Sequence, residues 1–141
     1  MPDEQVPPKR ALIVEDEALI AEELSERLSQ LGFQVIAAVG SAEEGVEIAT
    51  RERPDLVLMD IRLKGKKDGI EAALEIRRRV DIPIVYLTAY SDRITVDRAK
   101  RTDHDGFVLK PFRQCELQTT IGVALQRFAL RTRQQRGYEA V

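Results

Sequence analysis

The chain has 141 residues, 43% hydrophobic and 33% charged, with 22 Lys and Arg against 24 Asp and Glu for a net charge of −2. That length carries one domain with a substantial core, and the near-balanced charge leaves no footprint for nucleic acid or an anionic membrane. No apolar run approaches the about 20 residues of a membrane span, and the acidic start Met1-Pro2-Asp3-Glu4-Gln5 lacks a secretion signal's basic and apolar regions.

Taken in order, residues 1–8 hold three prolines and no periodic pattern, so a flexible tail is expected there. Ala11-Leu12-Ile13-Val14 is a short apolar run of strand type. Leu19/Ile20, Leu24, Leu28 and Leu31 then repeat near the helical period, with Gly32 placed to cap the C-terminus. Phe33 to Val39 reads as a second strand, and Ser41 with Glu44 three residues on reads as a capping box opening a second helix. Pro54 ends that helix, because a residue before proline avoids the α region.

Leu56 to Asp60 is a third strand, followed by the polar loop Ile61 to Gly69 and a helix with Ile70, Ala73, Ile76 and Val80 on one side. Pro83 introduces a fourth strand ending at Thr88. Ser91 or Asp92 is placed to cap a fourth helix that has only Ile94, Val96 and Ala99 to bury. Gly106 to Leu109 is a fifth strand, and a last helix buries Leu117, Ile121, Leu125 and Phe128 before turning polar through Arg131, Arg133 and Arg136. Alternation of strands and helices in so few residues predicts an α/β fold, a parallel sheet covered on both faces by right-handed crossovers. Cys115 is the lone cysteine and reads as a small buried hydrophobe in a reducing, cytoplasmic setting; His104, the lone histidine, reads as surface.

Four of these strands stop on residues that can handle a phosphoryl group: Glu15-Asp16, Asp60, Thr88, and Lys110-Pro111. Parallel sheets bind ligands in a crevice at the carboxyl ends of their strands, so an acid pair, a lone acid, a hydroxyl and a lysine converge on one spot. Singly, each has a duller reading: Asp16 as the cap of the first helix, Thr88 as a turn residue, Lys110 as a solvated charge. Together they supply a carboxylate nucleophile (Asp60), hard oxygens for a divalent cation and a cation for a phosphoryl oxygen.

From about Lys9 to about Phe128 the chain resembles the response-regulator receiver domain of two-component signalling. The resemblance implies a doubly wound, flavodoxin-like fold, with five parallel strands in order 2-1-3-4-5 and five helices. It implies a phosphoprotein rather than an enzyme acting on other substrates: Asp60 accepts a phosphoryl group from a histidine kinase or phosphotransfer protein. Mg²⁺ (or Mn²⁺) would be held by Glu15, Asp16, Asp60 and the backbone carbonyl of Arg62. Lys110, the Thr88 hydroxyl and the Ala89 amide would take the phosphoryl oxygens, and Lys110-Pro111 would be cis. Phe107 matches the family's switch aromatic, with a core phenylalanine as the plainer reading.

The signal would leave through the face of the fourth helix, fifth strand and fifth helix, to a downstream protein or a second copy, with Val96 and Leu130 as possible exposed contributors. No direct nucleic-acid or membrane partner is implied. The expected organisation is a tail over 1–8, a receiver domain over 9–130 and a helical extension or tail over 131–141. The chain is expected to lack an attached output domain, whether single-domain or excised from a longer regulator. The loop Ile61 to Lys67 is one residue longer than the family's usual one, and Arg62 and Tyr90 stand where the family tunes dephosphorylation. Lys64, Lys66 and Lys67 read as a solvated loop. Two other classes remain at this point: a Mg²⁺-dependent phosphatase with an aspartate nucleophile, disfavoured because Arg62 stands where it needs a second acid, and a scaffold that is never phosphorylated. A flavin binder is disfavoured by the acidic first loop, Glu15-Asp16-Glu17.

Overall fold

The structure is a computed structural model that describes residues 7–89, 93–101 and 105–139. Its elements alternate strictly: β1 Arg10–Val14, α1 Ala18–Gln30, β2 Gln34–Val39, α2 Ala42–Glu52, β3 Leu56–Asp60, α3 Gly69–Arg79, β4 Ile84–Ala89, α4 Arg93–Arg101, β5 Gly106–Lys110 and α5 Gln114–Glu139. The strands form one sheet in the order β2-β1-β3-β4-β5, every pair parallel. This is the expected doubly wound order.

Strand periodicity divides the core. Leu12, Val14, Val57, Met59 and Tyr86 face one side of the sheet, where α2 and α3 supply Val46, Ala49, Ile70, Ala73 and Ile76. Ala11, Ile13, Leu58, Val85 and Leu87 face the other, where α1 and α5 supply Leu24, Leu28, Leu117 and Ile121. Because each central strand is apolar on both faces, it reads in sequence as a continuous run and not as an alternation. The edge strand β2 is only half-buried.

Local expectations held at most helix ends. Gly32 takes φ +92 just after α1, and Ser41 caps α2 by accepting the Glu44 amide at 3.2 Å. The Ser41 hydroxyl itself donates to Glu44 Oε1 at 3.0 Å, so the reciprocal box predicted there is not formed. It forms at α3 instead, where Asp68 accepts from the Glu71 amide at 2.9 Å and the Asp68 amide donates to Glu71 Oε1 at 3.2 Å.

Other expectations need correction. Leu19 is 82% and Ile94 84% exposed: the buried side begins later in each helix, at Leu24 and Leu28 in α1 and at Ala99 in α4. Val80 is the extended residue that ends α3 and not part of its face. Cys115 is exposed, on the outer side of the first turn of α5. Leu125 and Phe128 are half-buried, not fully buried like Leu117 and Ile121. The readings for residues 1–6, Tyr90, Ser91, Asp92, His104 and the side chain of Arg136 lie outside the described residues. Among those described, no helix is long and apolar enough to cross a membrane.

Candidate functional site

Parallel pairing brings the ends of four strands to one rim: Asp60 is in register with Leu87, and Lys110 with Ala89. Just past β1, the Glu15 amide donates to Val39 O at 2.8 Å and the Glu17 amide to Glu15 Oε2 at 3.0 Å, which fixes the acidic turn. The cap position of α1 is Glu17, with no side-chain hydrogen bond to the helix. Asp16 is therefore not spent on capping.

Glu15, Asp16 and Asp60 each place a carboxylate oxygen within 4.8 Å of the others. Lys110 Nζ donates to Glu15 Oε1 at 3.0 Å and lies 3.5 Å from Asp60 Oδ2, bridging the two. Asp60 Oδ1 accepts the Arg62 amide at 3.1 Å, and Asp16 Oδ2 accepts the Lys64 amide at 3.1 Å. Glu15 and Asp60 are almost wholly buried, and so is Thr88, whose hydroxyl oxygen has no hydrogen-bond partner among the described residues. The Lys110-Pro111 bond is cis.

Burying like charges together shifts their protonation. Desolvation first, and the neighbouring Glu15 carboxylate second, push the Asp60 carboxyl from 3.8 up to about 7; Lys110 and the Arg62 amide pull the other way. For Lys110, burial works against the charge, but Asp60 and Glu15 outweigh it and raise its affinity for a proton. Hard carboxylate oxygens in this spacing match what Mg²⁺ takes from protein, one or a few carboxylates with water completing an octahedron. The donor set fits that ion.

All the predicted strand-end residues thus lie on this rim. Phe107 sits half-buried on β5 against the α2/α3 side of the core, with Lys100 Nζ of α4 lying 5.8 Å from its ring centroid. Lys67 is not simply solvated, since it pairs with Glu75 at 3.1 Å. Sequence reasoning missed two supports. Gly69 opens α3 with its amide on Ile61 O at 2.8 Å, so tightly that a Cβ would meet the Asp60 carbonyl; a glycine at a helix start already supplied with a cap was the available signal. Asp68 also forms an ion pair with Arg98, joining the start of α3 to α4.

A family model described as the response regulator receiver domain matches residues 11–122. The chain belongs to this family. Among curated relatives of this receiver, the transcriptional regulatory protein PdtaR of Mycobacterium tuberculosis is 42% identical over 121 residues, 86% of this chain and 58% of the relative. A probable transcriptional regulator ycf27 of Porphyridium aerugineum is 37% identical over 84% of this chain and 49% of its own. The receiver chain therefore spans about half the length of the curated relatives it matches. Among solved structures, the signal receiver domain of a modulated diguanylate cyclase from Desulfovibrio desulfuricans superposes with a TM-score of 0.80 at 35% identity, covering 88% of this chain and 98% of that one.

Proposed function

We propose that this receiver is switched by phosphorylation of Asp60, and that the bridging of Glu15 and Asp60 by Lys110 is the observation that carries the reading. A phosphohistidine on a kinase or phosphotransfer protein is the donor. The Asp60 carboxylate attacks phosphorus in line, a P–O bond forms, the P–N bond breaks, and the imidazole leaves with its electron pair. Transfer of this kind needs positioning and charge neutralisation more than covalent assistance.

Glu15, Asp16, Asp60 and the Arg62 carbonyl would hold Mg²⁺ (or Mn²⁺), which supplies charge neutralisation on the phosphoryl oxygens. Lys110 exchanges its contact with Asp60 for a phosphoryl oxygen while keeping Glu15. The Thr88 hydroxyl, buried without a partner among the described residues, donates to a second oxygen, and the Ala89 amide to a third. A new dianionic group gives Thr88 the hydrogen bond that it lacks. Phe107 then moves with Thr88, and the α4–β5–α5 face passes the change to a downstream protein or a second copy. The receiver unit is 9–130, and the last turns of α5 extend beyond it.

Intact-mass analysis after acetyl phosphate and Mg²⁺ tests this. One added phosphoryl group on the wild type and none on Asp60→Asn is the expected result; equal labelling of both, or none on either, overturns it.

A further inference from the structure

A second cavity, of about 530 Å³, lies at the opposite end of the sheet, where β1, β3 and β4 begin and the second half of α5 passes over them. That volume falls within the about 300–1,000 Å³ of small-molecule sites. Its apolar wall comes from Ile82, Pro83, Pro54, Leu125 and Phe128. Ile82 is buried, and Leu125 and Phe128 each keep a partly accessible side.

The charges around it are not balanced in their effect. Of the two acids in the lining, Asp81 lies 3.5 Å from Arg131 and is offset by it, while Asp55 accepts the Arg10 amide at 2.7 Å and keeps its charge, one negative charge against three cations. Lys9, Arg53 and Arg133, also in the lining, meet no carboxylate among the described residues. Arg53 is held at the mouth by a left-handed backbone, φ 48 and ψ 63, that a residue with a Cβ adopts at a cost.

We infer that this cavity binds a small amphipathic anion: an aromatic or aliphatic body against Phe128, Leu125 and Ile82, and a carboxylate or phosphate at Arg53, Arg133 and Lys9. The site is separate from Asp60, and it touches α5 from Leu125 to Arg133, around the point where that helix leaves the core. A ligand here would therefore act on the C-terminal half of α5 from the side away from the acidic rim.

Amide ¹⁵N–¹H shift titrations with 1-naphthoate and with neutral 1-naphthalenemethanol, on the full chain, separate the charge from the apolar body. Saturable shifts at Arg53, Asp81, Ile82 and Phe128 to Arg133 are expected with 1-naphthoate below about 10 mM, and clearly weaker binding of the alcohol. Arg53→Gly, which also relieves the left-handed residue, and Arg133→Gln, on an exposed helix position, each weaken 1-naphthoate by about two- to fivefold, the range for exposed charges. Asp60→Asn leaves that affinity unchanged. No saturable shifts at these residues, shifts centred on the Asp60 rim, or equal binding of acid and alcohol with both arginine variants silent would each overturn the inference.

Discussion

Between the carbonyl oxygen of Asp60 and the α-carbon of Gly69 there is no room for a side chain: a Cβ at Gly69 would stand 2.1 Å from that oxygen and 2.8 Å from the Ile61 α-carbon. The start of α3 is therefore pressed, backbone against backbone, onto the end of β3 that presents Asp60. Gly69→Ala forces one of the two backbones to move and should cost about 3 kcal/mol, the upper part of the range for overpacking. Gly122→Ala, in α5 with nothing within 4 Å of the added atom, should instead stabilise by up to about 1 kcal/mol. Urea denaturation of both variants measures the contrast; equal shifts would contradict it.

Stability should fall as pH rises toward neutrality in the absence of divalent cation. The Asp60 carboxyl has its affinity for a proton raised by folding, from 3.8 to about 7, so within that window the native state binds more protons than the unfolded one. The stabilising contribution of the protonated form is complete below the unfolded value and is lost as pH rises through about 7. Asp60→Asn removes this dependence and should be more stable than wild type at pH 8 by about 1–3 kcal/mol. Melting curves in EDTA between about pH 5 and 8 test the difference. Parallel curves for the two proteins would show that Asp60 is not desolvated.

The same carboxylates make Mg²⁺ binding compete with the proton. Mg²⁺ should raise the melting temperature of wild type more at pH 8 than at pH 6, since at the lower value Asp60 must first release a proton. The gain should shrink in Asp60→Asn, which removes one charged donor from the trio. Thermal melts at saturating Mg²⁺ settle this, and a gain independent of pH would sink it.

How much of this was legible beforehand follows from what each feature depends on. The three central strands were readable because a strand buried on both faces must be apolar throughout, as Leu56 to Met59 are. The rim residues were readable because strand ends in a parallel sheet share an edge. Contacts between loops were not. Lys64 donates to Asp16 through a backbone amide, which carries no residue signature. The exposure of Ile94 and Cys115 depends on where along each helix the buried side begins, and a periodic pattern gives the angular position of a residue but not that point. Asp105 before Gly106 reads as an ordinary turn, although it is a buried carboxylate with three donors.

Thr88 is a hydroxyl placed where the resting protein has no use for it. Its oxygen is buried without a hydrogen-bond partner among the described residues, so removing it leaves none of their groups orphaned. Thr88→Val keeps the shape and should change stability by less than about 1 kcal/mol, or raise it. Phosphorylation should still occur in the variant, because Asp60 and Lys110 are intact, but the amide shifts around Phe107 that accompany it in wild type should be largely lost. Acetyl phosphate titration followed by mass and by amide spectra reads both quantities. A strongly destabilised Thr88→Val would mean that the hydroxyl has a resting partner after all.

Asp105 holds together the end of the molecule away from the rim. Its carboxylate accepts the Ile84 amide at 2.8 Å, Arg77 of α3 at 2.9 Å and Arg131 of α5 at 3.1 Å. Truncation would leave a backbone donor and a largely buried guanidinium without their acceptor, and breaking a buried pair from one side costs about 3–5 kcal/mol. Asp105→Ala should therefore fall in that range, whereas Asp81→Ala should cost less than about 1 kcal/mol, because the Asp81 side chain is 56% exposed beside the same Arg131. Chemical denaturation of the two variants compares them directly. Since Asp105 stands at the start of β5 and Lys110 at its end, Asp105→Ala at low temperature, where it remains folded, should still accept a phosphoryl group. Loss of labelling in a folded Asp105→Ala would show that the two ends of the sheet are coupled more tightly than separate packing allows.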